Sequence, residues 1–179
     1  MIFVLSGPVH GGKTTFLESS LARWAAHGLA CGGFLSVATA DANGAKGYDL
    51  IEIQTGLRHA FLRREGGPDA ERTGPFFFVP ETLGLARTII REAGPGELLI
   101  VDEVGPRELR GGGLWPALLE TVGRPGRNIL LVVREEILED VVAVLGPGAP
   151  LIFDVRDPDA QKVMDGLLLG TDRTDDRQS

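Results

Sequence analysis

Gly7-Pro8-Val9-His10-Gly11-Gly12-Lys13-Thr14 follows the apolar run Ile2-Phe3-Val4-Leu5-Ser6 and precedes a stretch with Phe16, Leu17, Leu21 and Trp24 at helical spacing. The run reads as a strand, Ile2 to Ser6, and the stretch as a helix, Lys13 to His27, stopped at Gly28. The residues between them fit G-x-x-x-x-G-K-[ST] at every fixed position. A glycine-rich turn lets successive backbone N–H groups converge on phosphate oxygens without side chains in the way. The helix behind it adds unpaired first-turn N–H groups and the positive end of its dipole. On this reading Gly7, Pro8, Val9, His10, Gly11 and Gly12 wrap the phosphates and Lys13 reaches the β- and γ-phosphates. The Thr14 hydroxyl ligates Mg2+, and Thr15 flanks the α-phosphate. The plain alternative is a glycine turn with an incidental lysine. The strand before it and the amphipathic helix after it argue against that.

The second decisive stretch is Glu97-Leu98-Leu99-Ile100-Val101-Asp102-Glu103, an apolar strand ending in two carboxylates. In doubly wound sheets ligands lie outside the carboxyl ends of the strands. Asp102 is then placed to hold Mg2+ beside Thr14. Glu103 is placed to take a proton from an attacking water, a need specific to hydrolysis. An ion pair of Glu103 with Arg107 or Arg134 is the competing structural reading.

Outward from these stretches, short apolar runs alternate with helical ones, the pattern of an α/β protein with a largely parallel sheet. Residues 29–39 are expected to hold a second strand. The turn Ala40-Asp41-Ala42-Asn43-Gly44 leads to a hairpin partner over Gly47 to Gln54, and a third antiparallel piece is expected over Leu57 to Arg64. Glu65 to Gly74 reads as a loop. A helix is expected from Pro80 to Ala93, then the acidic strand, a loop over Gly105 to Gly113 and a helix over Leu114 to Val122. A strand over Asn128 to Arg134, a helix over Glu136 to Leu145, a strand over Leu151 to Val155 and a helix over Asp159 to Leu169 complete the order. Trp115 and Phe76-Phe77-Phe78 read as core packing rather than base stacking. The expected organisation is one domain over residues 1–170, with a polar disordered tail at 171–179.

Bulk properties narrow the function classes. The chain has 179 residues, 43% hydrophobic and 24% charged, the balance of a globular protein. A net charge of -7 gives no reason to expect nucleic acid or an anionic membrane as partner. One cysteine, Cys31, excludes an internal disulfide and a cysteine-based metal site. The N-terminus has no basic leader and no apolar run is long enough to span a bilayer, so a cytoplasmic location is expected. No residue pattern marks a protein partner.

With these residues in view, the chain resembles the cancer-related, thermophile-type nucleoside-triphosphatase family, small P-loop NTPases with an additional-strand, RecA-like core. The likeness rests on the phosphate loop, on Gly32-Gly33-Phe34 leading into a hairpin that ends Gly47-Tyr48-Asp49-Leu50, and on the acidic strand. That strand runs on as Val101-Asp102-Glu103-Val104-Gly105-Pro106-Arg107-Glu108-Leu109, similar to the family's D-E-[IV]-G-x-[ML]-E-L. Arg107 stands where the family has an apolar residue, and from Ser36 to Gly47 the only basic residue is Lys46. The resemblance implies a three-layer P-loop sandwich with helices on both faces of a mostly parallel sheet and an antiparallel hairpin insertion. It implies Mg2+-dependent hydrolysis of ATP, GTP and other triphosphates, with Lys13, Thr14, Asp102 and Glu103 in the roles above. Glu108 would tie down the loop after the acidic strand.

Arg134 closes a strand on the expected ligand side and is a candidate to stabilise charge on the transferred phosphoryl group. Arg107 is a second candidate, and Arg63 and Arg64 are weaker ones. No [NT]-K-x-D guanine-reading motif is present. Two other functions fit the same scaffold. A small-molecule kinase would use the Arg-bearing segment over a bound acceptor. A nucleotide-binding adaptor of the molybdenum-cofactor type would bind tightly and turn over little.

Overall fold

The computed structural model describes residues 1–40, 46–146, 148 and 150–170. The turn Asn43-Gly44 and the expected tail at 171–179 lie outside the described residues. In chain order the elements are β1 (Ile2–Gly7), α1 (Lys13–Ala26), β2 (Cys31–Ala40), β3 (Lys46–Glu52), β4 (Arg58–Arg63), β5 (Arg72–Thr73) and β6 (Phe76–Phe78). They continue with α2 (Pro80–Glu92), β7 (Leu98–Val104), α3 (Trp115–Val122), β8 (Asn128–Arg134), α4 (Leu138–Leu145), β9 (Leu151–Asp154) and α5 (Ala160–Leu169).

The described strands form one sheet in the order β5-β6-β4-β3-β2-β7-β8-β1-β9. From β2 to β9 every neighbouring pair is parallel. From β2 outward to β5 every pair is antiparallel. The fold is therefore α/β with a parallel centre, as expected, and the antiparallel part is larger than a hairpin. β4 matches the expected third piece, but Phe76–Phe78 forms a strand of its own, and β5 falls within the segment expected to be loop. Two-residue and three-residue strands carry too few residues for a period-2 pattern to be recognised.

Side-chain alternation along the parallel strands sorts the core onto two faces. Phe3, Leu5, Ile100, Leu130 and Val132 meet Leu17 and Trp24 of α1 and Met164 of α5. Val4, Leu99, Val101, Leu131 and Val133 meet Leu83 and Ile90 of α2, Leu118 of α3 and Val141 of α4. Both faces are covered, which is why these strands read as continuous apolar runs. The outer wing joins the second face through Phe34, Phe61 and Phe78, whose rings pack edge-to-face at 5.9 and 5.3 Å. The β2–β7 pairing depends on Gly33, whose φ is +97° and where a Cβ would sit 1.9 Å from the Ile100 carbonyl oxygen. Across the first face, Trp24 Nε1 donates to Asp165 at 2.7 Å and Arg23 pairs with the same carboxylate at 3.0 Å, fixing α5 on α1.

Element ends differ slightly from expectation. β7 runs on to Val104, so the acidic pair lies just inside the strand and not at its very end. α4 begins at Leu138 after a tight turn over Glu135–Ile137, and α3 at Trp115 with Pro116 in its first turn. No helix among the described residues is long and apolar enough to cross a membrane.

Candidate functional site

β1 ends at Gly7, and the chain turns through residues 8–12 into α1 over the carboxyl edge of the sheet. Gly12 caps the helix at φ +87°, the left-handed region that a side chain would disfavour, and no side chain caps the helix start. The first-turn N–H groups are left for a ligand. His10 also sits in the left-handed region at φ 60° and is exposed.

β8 lies between β1 and β7, and Arg134 at its end is in register with Gly7. Parallel direction brings three strand ends to one edge: the loop from β1, Arg134 from β8, and Asp102 with Glu103 from β7. They line a cleft of about 450 Å³ together with Ser36 of β2, Tyr48 of β3 and Thr73 to Phe76.

Lys13 is buried and its Nζ donates to the carbonyls of Gly7 at 3.0 Å and Pro8 at 2.8 Å. The same ammonium lies 4.0 Å from Glu103 Oε2. Arg134 Nε donates to the other oxygen, Glu103 Oε1, at 2.5 Å. Burial of the guanidinium works against its charge, but Glu103 beside it holds Arg134 more firmly protonated. The ion pair considered above as the structural reading of Glu103 is thus formed, with Arg134.

Asp102 is 3% exposed. Burial pushes its carboxyl up to about 7, against the backbone N–H of Ser36 that donates to it at 3.2 Å. The charge of Glu103 adds to that rise and Lys13 opposes it. A carboxylate short of positive charge, beside a cleft that also takes in Thr14, suits a hard divalent cation. Among the described residues there is no cluster of three or more His, Cys, Asp or Glu able to hold a metal. The Asp102 carboxylate and the Thr14 hydroxyl are hard oxygen donors, the kind that would suit Mg2+.

The other arginine candidates point elsewhere. Arg107 pairs with Glu71 at 3.0 Å. Arg63 pairs with Asp49 at 2.6 Å and donates to the Tyr48 carbonyl, and Arg64 lies 5.3 Å over the Phe76 ring. Glu108 is buried and accepts from the N–H groups of Gly105 at 2.9 Å and Leu114 at 3.1 Å, tying down the loop after β7 as the resemblance implied. Trp115 and Phe78 are core, while Phe76 is half-buried on the cleft wall.

Sequence reasoning passed over Ser36, Tyr48 and Glu71. Tyr48 sat inside a quoted segment but carried no chemical pattern. Glu71 accepts from Arg87 at 2.6 Å, from Arg107 and from the Gly113 N–H at 2.8 Å, and so anchors the strip that forms the far wall. It is one carboxylate in an irregular stretch, and no spacing could mark it.

A model of the NTPase family matches residues 2–163. The nucleoside-triphosphatase THEP1 of Hyperthermus butylicus is 28% identical over 144 residues, covering 78% of this chain and 74% of its own length. That of Thermofilum pendens is 26% identical over 135 residues, covering 74% and 73%. Among solved structures, THEP1 from Aquifex aeolicus has a TM-score of 0.72 at 18% identity, over 94% of this chain and 99% of that one. The solution structure of a human cancer-related nucleoside triphosphatase has a TM-score of 0.69 at 22% identity, over 97% and 98%. These structural likenesses carry the fold, and the sequence match over nearly the whole chain carries the kinship. The chain belongs to the NTPase family.

Proposed function

We propose that this chain is a Mg2+-dependent nucleoside-triphosphatase that converts ATP, GTP and other triphosphates to the diphosphate and phosphate. The observation that supports it best is the meeting of phosphate loop, acidic pair and Arg134 in one cleft at one sheet edge. Loop amides from Gly7 to Thr15 bind the phosphate chain. Lys13 leaves the Gly7 and Pro8 carbonyls for the β- and γ-phosphate oxygens. Thr14 and Asp102 would hold Mg2+, which supplies charge neutralisation on the β- and γ-oxygens when bound. Glu103 orients a water and takes its proton as the water oxygen bonds to the γ-phosphorus. The bond from that phosphorus to the bridging oxygen breaks, and the diphosphate carries the electron pair away. Arg134 stabilises the charge spread over the γ-phosphoryl oxygens.

One observation keeps a kinase as a second reading: the cleft continues past Arg134 to Tyr48 and Phe76, more room than a water needs. Phosphate release from the four common triphosphates, with and without Mg2+ and with and without hydroxyl-bearing acceptors, separates the readings. Release without acceptor, abolished by Glu103→Gln and by chelation, supports hydrolysis. Loss of the γ-phosphate only with an acceptor supports the kinase. Tight binding with neither would make the chain a nucleotide-binding adaptor.

A further inference from the structure

Both oxygens of Glu103 face cations that the proposed reaction needs elsewhere. Arg134 occupies Oε1 at 2.5 Å, and Lys13 stands 4.0 Å from Oε2. Among the described residues these are the arginine and the lysine that line the cleft. No third Lys or Arg there can take over when phosphate draws them away. The two are held differently. Lys13 already spans the loop, bonded to the Gly7 and Pro8 carbonyls, so a β-phosphate seated in the loop can recruit it. Arg134 bonds to Glu103 and is 38% exposed at the cleft wall, on the strand next to the loop, where the proposed function puts the γ-phosphoryl oxygens. On that reading a diphosphate stops short of it.

We propose that the Glu103–Arg134 ion pair is a latch released by the γ-phosphate, which keeps Glu103 engaged until a triphosphate has arrived. This rests on the assignment of Glu103 and Arg134 to the phosphate site. The exchange is close to balanced. A half-exposed ion pair is weak, and a guanidinium fork binds a phosphate at least as well as a carboxylate. The γ-phosphate gains Arg134 only by displacing a carboxylate, and the displaced Glu103 is then free to accept a hydrogen bond from water. One guanidinium thus reports the third phosphate and releases the group that acts on it.

The test reads binding, not turnover. Affinities of the full chain for a non-hydrolysable triphosphate and for the matching diphosphate, both with Mg2+, are measured by calorimetry. The proteins are wild type, Glu103→Gln, Arg134→Gln and the double variant. Glu103→Gln is expected to tighten the triphosphate about fivefold, the scale of a weak ion pair, and to leave the diphosphate unchanged. In the Arg134→Gln background the same substitution is expected to do nothing to either ligand. If Glu103→Gln tightens the triphosphate equally in both backgrounds, plain charge repulsion is at work and the latch is overturned. An equal shift for both ligands, or none for the triphosphate, overturns it too. Arg134→Met, which likewise cannot pair with a carboxylate or a phosphate, replaces Arg134→Gln if the latter does not fold, with the same loss of additivity expected. Phosphate release by Glu103→Gln tests the general base separately, so either idea can fail while the other stands.

Discussion

Asp102→Asn in the metal-free protein tests the electrostatics of the cleft without any turnover. The carboxyl is 3% exposed and receives the Ser36 N–H, and burial lifts it from an ordinary value near 3.8 to about 7. A group whose folded value lies above its unfolded one binds its proton more tightly when folded. Its contribution is fully present below about pH 4 and is lost as the pH rises through about 7. Each pH unit in that window is worth about 1.4 kcal/mol for one proton, so the whole effect is on the order of a few kcal/mol. Urea unfolding of the metal-free chain between pH 5 and 8 is expected to show stability falling as the pH rises, with the steepest part below 7. Asn at 102 has no proton to lose, so the variant's profile is expected to be flatter by that amount. Equal slopes in the two proteins would refute the argument, because some other group would then carry the pH dependence.

Lys13→Ala removes an ammonium that bonds two loop carbonyls and stands ready for phosphate, and is expected to weaken triphosphate binding roughly ten- to hundredfold, the scale of charge-assisted hydrogen bonds; affinity unchanged in a titration would remove the basis for the phosphate site. Glu71→Ala leaves the guanidinium groups of Arg87 and Arg107 and the Gly113 N–H without their acceptor, and is expected to destabilise the fold by about 2 kcal/mol in urea unfolding. Gly33→Ala adds a Cβ 1.9 Å from the Ile100 carbonyl oxygen at a φ of +97°, and should lower stability by roughly 3 kcal/mol or more, or prevent folding; a variant as stable as wild type would show that β2 and β7 do not approach this closely.

The parts legible in the letters are those that local chemistry dictates. The strand, glycine turn and helix around Lys13 each carry a distinct pattern, and the apolar run ending at Asp102 marks a buried parallel strand. Both were placed to within two residues. What stayed hidden depends on contacts far apart in sequence. Arg134 was a candidate because it closes a strand, and it was one of two arginines considered as a partner for Glu103; that it is the one to meet Glu103, 31 residues away, follows from β8 lying beside β7. Arg107 looked equally eligible from its place after the acidic pair, but Glu71, 36 residues away, holds it. β6 is a strand because β4 offers an edge to pair with, and β5 because β6 in turn offers one.

The strand order sets the three strand ends that carry the loop, Arg134 and the acidic pair apart from the additional wing. β7 and β1 are separated only by β8, and neighbouring strands lie roughly 4.8 Å apart, so the backbones of β7 and β1 stand about 10 Å apart with Arg134 between them. On the proposed function, that spacing would seat a chain of phosphates along the edge, with its last group over Arg134 and its metal near Asp102. Strands added beyond β2 extend the sheet at the far side of β7 and leave these three neighbours in place. On the same reading the wing would act on what borders the terminal phosphate, through Tyr48 and the Glu71-anchored strip, and not on how the phosphates are held. Changes in the wing should alter what may stand beside the γ-phosphate, while changes at the ends of β1, β7 and β8 should alter whether it is bound and cleaved at all.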